Sequence, residues 1–243
     1  MKLKAPTFRR KHPESSRSFD DTPSIAESEV SSVDYGLFDE DRSSFEPRRP
    51  LQWVFKGLTI WIEYEEHDQD LSKAIEGASQ FYGTELIPMA HSTAIYGMTH
   101  LTEQEASEKL DQVLKAFPQG WPSIMDRPIS VKQDLAVEGR PGQVCSISWA
   151  ELTLKSNEKH EEAIDKLYEI FEVPGGRTSG EWTPHISLAY DNPEDSVLNL
   201  ADTISYVAQN PSLMAARRVK AVSLWSTEGK MAQWKCLDRV SFF

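Results

Sequence analysis

Two short stretches of the sequence carry a histidine followed two residues later by a hydroxyl side chain. His91 precedes Thr93, and His185 precedes Ser187 in a stretch 94 positions further along. Side chains alternate along a strand, so each histidine should share a face with its hydroxyl residue. One such motif could simply line a polar sheet face. Two copies predict a pair of imidazoles for proton transfer, with hydroxyl donors beside them.

The surroundings of the two motifs repeat as well. Each has the order strand, helix, motif strand, helix, over residues 51–117 and 143–209. Two such lobes around an approximate twofold axis would bring the motif strands side by side. We therefore predict an α+β fold: two pseudo-symmetric lobes of antiparallel sheet with outer helices around a central cleft, and closing strands in residues 217–242.

Local signals support individual elements of this fold. Thr102 and Glu105 form a capping box ahead of apolar residues at helical spacing, which predicts a helix ending near Phe117. The stretches "PISVKQDLAV" and "QVCSISWAEL" are separated by a glycine-containing turn and predict a hairpin.

Composition divides the chain near residue 50. Residues 1–49 are rich in Ser, Pro, Asp, Glu and Arg, with scattered apolar residues, which is typical of a disordered tail. Residues 50–243 have the composition of a folded domain. We expect deletion of the tail to leave that domain intact.

Charge and apolar content exclude several classes of protein. The formal net charge is −12, and residues 51–243 hold 17 Lys and Arg against 28 Asp and Glu. Long nucleic acid is therefore not an expected partner, although a small anion could bind in a local pocket. Without an eighteen-residue apolar stretch, we expect no membrane association and a cytoplasmic monomer. Cys145 and Cys236 lack metal-site spacing and are expected to be reduced core thiols.

The stretches "LTIWIEY", "HSTAIYGMTHLTEQEA", "TPHISLAYD" and "VSLWSTEGKMAQWK" together resemble the two-histidine (2H) phosphoesterase superfamily. They are most similar to the cyclic phosphodiesterases of plants and fungi, over about residues 51–243, and the paired motifs are the specific part. The resemblance implies hydrolysis of 2′,3′-cyclic nucleotides to 2′-phosphates, or of ADP-ribose 1″,2″-cyclic phosphate. It assigns catalysis to His91 and His185 and phosphate binding to Thr93 and Ser187, with no cofactor and no metal.

Other residues are candidates for binding the substrate. Trp61 could stack on a nucleobase or belong to the core. By alternation Tyr96 and Tyr190 should point away from the cleft, whereas the resemblance implies that Tyr190 bends back to the substrate. Arg177, in a glycine-rich stretch, could reach a phosphate or form a plain turn. In the family that the sequence resembles, the position after the first histidine is usually apolar, and here it is Ser92. This departure predicts that the back face of the first motif strand is less buried.

The four remaining histidines, His12, His67, His100 and His160, stand beside no repeated hydroxyl and are interpreted as surface or structural residues.

The sequence does not distinguish which of the two motif histidines is the acid and which is the base. Two imidazoles of ordinary pKa predict a bell-shaped activity profile with limbs on either side of about pH 6 to 7. Two alternative functions use the same cleft: processing of RNA ends by a 2H enzyme, and non-catalytic binding of nucleotides or RNA ends. The acidic domain argues against the first, and the intact motifs argue against the second.

Overall fold

The computed structural model describes residues 48–65, 69–122, 128–140, 143–155, 157–177 and 183–242. The tail predicted over residues 1–49 lies outside these ranges except for Arg48 and Arg49, and so do His12 and His67. None of the helices within the described ranges is long and apolar enough to span a bilayer.

Seven strands and four α-helices lie in the described ranges, and all strand pairs are antiparallel. In chain order they are β1 (Leu58–Tyr64), α1 (Asp70–Tyr82), β2 (His91–Met98), α2 (Glu103–Ala116), β3 (Pro128–Arg140), β4 (Gln143–Leu154), α3 (Glu158–Ile170), β5 (His185–Asp191), α4 (Leu200–Gln209), β6 (Val219–Ser226) and β7 (Lys235–Ser241). The fold class is α+β, as the sequence predicts.

The strands form one continuous sheet in the order β3-β4-β5-β2-β1-β6-β7. The predicted lobes are therefore two halves of a single sheet, with β5 and β2 meeting at the centre. The order strand, helix, motif strand, helix occurs twice, as β1-α1-β2-α2 and β4-α3-β5-α4. Helix α1 packs against β5 and helix α3 against β2, so each half places a helix on the other half's motif strand.

Alternation along the central strands separates a helix-covered face from an opposite face. In β1, Ile60 and Ile62 are fully buried in the main apolar core with the helices. Trp61 and Glu63, one position out of phase, point to the other face, which also carries His91 of β2. The core thus fills the space under the helices, and the opposite face is left for polar and aromatic groups.

The helix ends follow the signals in the sequence. Thr102 Oγ1 accepts from the Glu105 backbone N–H at 3.2 Å, and a Glu105 carboxylate oxygen accepts from the Thr102 N–H at 2.8 Å. This capping box starts α2 as predicted. The predicted hairpin is also confirmed as β3 and β4. Cys236 is exposed, so its prediction as a core thiol is wrong, and the side chain of Cys145 lies outside the description.

Candidate active site

The two motifs meet where the halves of the sheet join. Strands β2 and β5 are antiparallel neighbours with Ser92 opposite Ile186. In an antiparallel pair this register puts His91 beside Ser187 and Thr93 beside His185. The four motif residues therefore form a square around an approximate twofold axis, with each histidine next to the other motif's hydroxyl residue.

Both imidazoles are held in the same way by the backbone. The Nδ1 atom of His91 lies 2.7 Å from the Met89 carbonyl oxygen, and that of His185 lies 2.9 Å from the Thr183 carbonyl oxygen. A carbonyl oxygen only accepts hydrogen bonds, so Nδ1 carries the hydrogen in each ring. Nε2 is then the atom of each histidine that is available for proton transfer.

The surroundings of His91 favour its neutral form. Its side chain is buried, and its ring stacks on Trp61 with centroids 3.5 Å apart and planes 9° apart. Burial lowers the pKa of His91 to about 3, with a smaller lowering from the charge of His185, while the hydrogen bond to the Met89 carbonyl opposes these effects. At neutral pH this imidazole can accept a proton.

His185 sits in a different environment. Its side chain is 28% exposed, and the carboxylate of Glu151 lies 3.7 Å from its Nδ1 atom. The bell-shaped profile with limbs on either side of about pH 6 to 7 stays a prediction. The lowered pKa of His91, about 3, argues for an acid limb below that range if His91 is the group that must be neutral.

Trp61 is not available to stack on a nucleobase. Only 1% of the Trp61 surface is exposed, because the indole stacks on His91 and also on Trp225. The Trp61 and Trp225 ring centroids are 4.1 Å apart, and the ring planes differ by 27°. Of the two alternatives for Trp61, the burial favours a core position over a platform for a nucleobase, and the stacking makes Trp61 a support for the His91 ring.

A bulge changes the face of the residues that follow each motif. In β5, Ser187 and Ala189 pair with the adjacent residues Glu151 and Ala150, which leaves Leu188 as an extra residue. In β2, Thr93 and Ile95 pair with Trp61 and Ile60, so the same bulge occurs at the same point of the repeat.

The bulge in β5 turns Tyr190 to the side of Ser187. The Tyr190 hydroxyl donates to Ser187 Oγ at 2.9 Å, against the expectation from simple alternation. Burial raises the pKa of Tyr190 to about 12, so the phenol keeps its proton at neutral pH. Tyr96 is also displaced by a bulge, and its half-exposed hydroxyl accepts from the Lys56 N–H at 3.2 Å.

A second set of polar residues, which sequence reasoning missed, lies beside His185 on β4. Glu151 is buried, with one carboxylate oxygen accepting from the Trp149 indole at 2.6 Å and the other from the Thr153 hydroxyl at 3.2 Å. Alternation within "WAELT" puts these three residues on one face, but only the register of β4 against β5 shows that this is the face of His185.

Two further expectations from the sequence concern Arg177 and Ser92. Arg177 is held on α3 by Glu161 and Asp165, at 2.5 and 2.6 Å, which does not leave it free for a phosphate. Ser92 is fully buried, so the expected exposure of the back face is wrong.

Two of the remaining histidines have structural contacts within the described residues. His100 Nε2 bonds to the Phe171 carbonyl at 2.9 Å, and His160 Nδ1 accepts from the Trp121 indole at 3.2 Å. Burial lowers the pKa of His160 to about 4, consistent with its role as an acceptor. Both agree with the interpretation as structural residues.

Two further observations concern binding sites elsewhere. A groove of about 750 Å³ lies between α2 and α3, but its lining includes none of the motif residues. Among the described residues, no three His, Cys, Asp or Glu side chains are grouped so that they could hold a metal ion.

Comparisons with known proteins give a limited likeness. No protein-family model matches the chain, and no curated protein matches it. A structure of Usb1 from Kluyveromyces marxianus with uridine monophosphate is 13% identical and covers 75% of this chain and 98% of that chain, with a TM-score of 0.38. A second structure of the same Usb1 is 13% identical, covers 74% and 96%, and has a TM-score of 0.37. At these values the likeness carries no argument about what this chain does.

Proposed function

We propose that this protein is a cyclic phosphodiesterase of the two-histidine phosphoesterase type. The observation that carries the proposal is the seam between β2 and β5, where two histidines, each bonded at Nδ1 to a backbone carbonyl, alternate with two hydroxyl side chains. One histidine sits in surroundings that keep it neutral, and the other lies beside a carboxylate. Such a pair supplies a base and an acid for one reaction.

The chemistry is hydrolysis of a cyclic phosphodiester. His91 takes a proton from water at Nε2 as the water oxygen forms a bond to phosphorus. The bond from phosphorus to the leaving ribose oxygen breaks, and His185 Nε2 gives its proton to that oxygen. Thr93 and Ser187 donate to the phosphoryl oxygens, and the protonated Tyr190 hydroxyl supports Ser187.

Small substrates fit the charge of the chain better than polymers. Residues 51–243 hold 28 acidic against 17 basic residues, which disfavours the many phosphate contacts that long nucleic acid requires. We propose 2′,3′-cyclic nucleotides or ADP-ribose 1″,2″-cyclic phosphate as substrates, with the 2′-phosphate retained because the 3′ oxygen leaves. The reaction uses protons and hydroxyl donors alone, and neither a cofactor nor a metal takes part.

A product assay tests the proposal. Purified protein would be incubated in chelator with a panel of 2′,3′-cyclic nucleotides, ADP-ribose 1″,2″-cyclic phosphate and RNA ending in a 2′,3′-cyclic phosphate. We expect ring opening of the small substrates and nucleoside 2′-phosphates as products. Preferred action on the RNA would instead support the RNA-end alternative. Binding without turnover of any substrate would support a non-catalytic module, and activity that depends on added zinc or manganese would contradict the metal-free mechanism.

A further inference from the structure

The approximate twofold symmetry of the site fails at one pair of equivalent positions. On β1, Trp61 lies opposite Thr93, and on β4, Glu151 lies opposite Ser187. The same place in the repeat thus holds an indole in one half and a carboxylate in the other. The indole covers the ring of His91, whereas the carboxylate lies 3.7 Å from Nδ1 of His185.

We propose that Glu151 is a positioning residue that holds His185 as the proton donor to the leaving oxygen. This assignment rests on the proposed function. The carboxylate is fixed by Trp149 and Thr153, and its side chain is only 3% exposed, so water screens its charge weakly. A fixed carboxylate behind an imidazole stabilises the imidazolium, which is the form that can donate.

The distance between Glu151 and His185 indicates that Glu151 acts on His185 through its charge and not through a hydrogen bond. Nδ1 of His185 already donates to the Thr183 carbonyl at 2.9 Å, and the Glu151 oxygen lies beyond hydrogen-bonding distance at 3.7 Å. Among the described residues, the titratable groups that face His185 are Glu151 from β4 and His91 from β2, and Tyr190 lies on its own strand as a neutral phenol. Among these, Glu151 is the group with a negative charge.

A sulfur substitution in the substrate separates a role in acid catalysis from a structural role. A 3′ oxygen needs a proton as it leaves, whereas sulfur in the same bridging position leaves as a stable thiolate. We expect Glu151→Gln to lower kcat about tenfold to hundredfold on a nucleoside 2′,3′-cyclic phosphate, and by less than about threefold on its 3′-bridging sulfur analogue. Glutamine can still accept from Trp149 and bond to Thr153, so the fold should survive.

Glu63→Gln is the matched control. Glu63 is a buried carboxylate on the same face of the sheet, opposite His91, and it pairs with Arg239 at 2.7 Å. Its loss should affect the oxygen and sulfur substrates to the same extent. An equal loss on both substrates for Glu151→Gln, or no loss on the oxygen substrate, would reject the assignment. Failure of the folded wild-type protein to open any cyclic phosphate would instead reject the proposed function itself.

Discussion

His91 and His185 have nearly the same local sequence, yet their side chains meet different surroundings. Both rings are oriented by a backbone carbonyl two residues earlier in the chain. His91 is then buried against an indole, whereas His185 is partly exposed beside a carboxylate. The environment, rather than the motif, therefore distinguishes the two histidines, and under the proposed function it makes His91 the base and His185 the acid.

Removing either imidazole tests whether both take part in one step. We expect His91→Ala and His185→Ala each to lower turnover about 10²- to 10⁴-fold, with circular dichroism spectra like the wild type. The double variant should be little worse than the weaker single variant, because the two groups act together. Turnover within a few-fold of wild type for either single variant would show that the paired mechanism is wrong.

Under the proposed function, we expect Trp61, which stacks on His91, to control the acid limb of activity. Trp61→Leu opens one face of the imidazole to water, which should raise the pKa of His91 from about 3 towards its usual value. A base works in its neutral form, so the acid limb of kcat/KM should move to higher pH and activity near pH 5 should fall.

Measured kcat/KM between pH 4 and 8 would check this shift. Trp225→Leu is the control, because Trp225 stacks on Trp61 rather than on His91. An acid limb that stays in place in Trp61→Leu, with the protein folded throughout, would mean that the indole does not control His91.

At the scale of elements, the bulges after the two motifs determine which side chains share the sheet face that carries the motif residues. One extra residue in each motif strand, Ala94 in β2 and Leu188 in β5, reverses the faces of the residues beyond it. Tyr190 reaches Ser187 through this shift. The phenol then orients a hydroxyl that we assign to the phosphate.

Removal of the Tyr190 hydroxyl tests that contact. Tyr190→Phe should lower kcat/KM about threefold to tenfold, which corresponds to the loss of one hydrogen bond. Tyr206→Phe is the control, since the Tyr206 hydroxyl donates to the Ala74 carbonyl of helix α1 at 2.5 Å. Equal effects of the two changes would argue against a special role for Tyr190.

The sequence predicted which four residues meet but not what surrounds them. Repeated motifs with repeated flanks determine that two like strands pair, and the capping box and hairpin follow from local signals. The positions of Tyr190 and Glu151 depend on a bulge and on the register between distant strands, which alternation cannot supply. The burial of Trp61 depends on β6, whose Trp225 covers it from more than 160 residues away in the sequence.

At the scale of the whole molecule, the first described residues are tied to the second half of the sheet. Arg48 contacts both carboxylate oxygens of Asp191, at 2.8 and 2.7 Å, and donates to the Tyr82 carbonyl at 3.1 Å. Arg49 pairs with Asp195 on the surface. Arg48 and Arg49, which composition assigns to the tail, therefore form ion pairs with residues of the domain.

Two truncations separate the tail from these contacts. Deletion of residues 1–47 should leave catalysis and thermal stability nearly unchanged, because that composition cannot bury a core. The expectation that residues 1–49 can be deleted without effect is corrected by Arg48, because that deletion breaks a largely buried charged pair and should cost about 2 kcal/mol. Arg48→Met in the full chain should reproduce that cost in chemical denaturation. A large loss from the shorter deletion would show that residues 1–47 stabilise the domain.

The seam between β2 and β5 joins two similar halves that belong to one polypeptide. A single half pairing with an identical copy across such a seam would already bring two histidines and two hydroxyls together, with both halves alike. In that symmetric assembly, a change at one position would appear twice, so an indole and a carboxylate could not stand at equivalent places. Joining both halves in one polypeptide lets Trp61 and Glu151 differ. Different surroundings for two histidines at equivalent positions are thus a property that a single polypeptide can hold and a dimer of identical halves cannot.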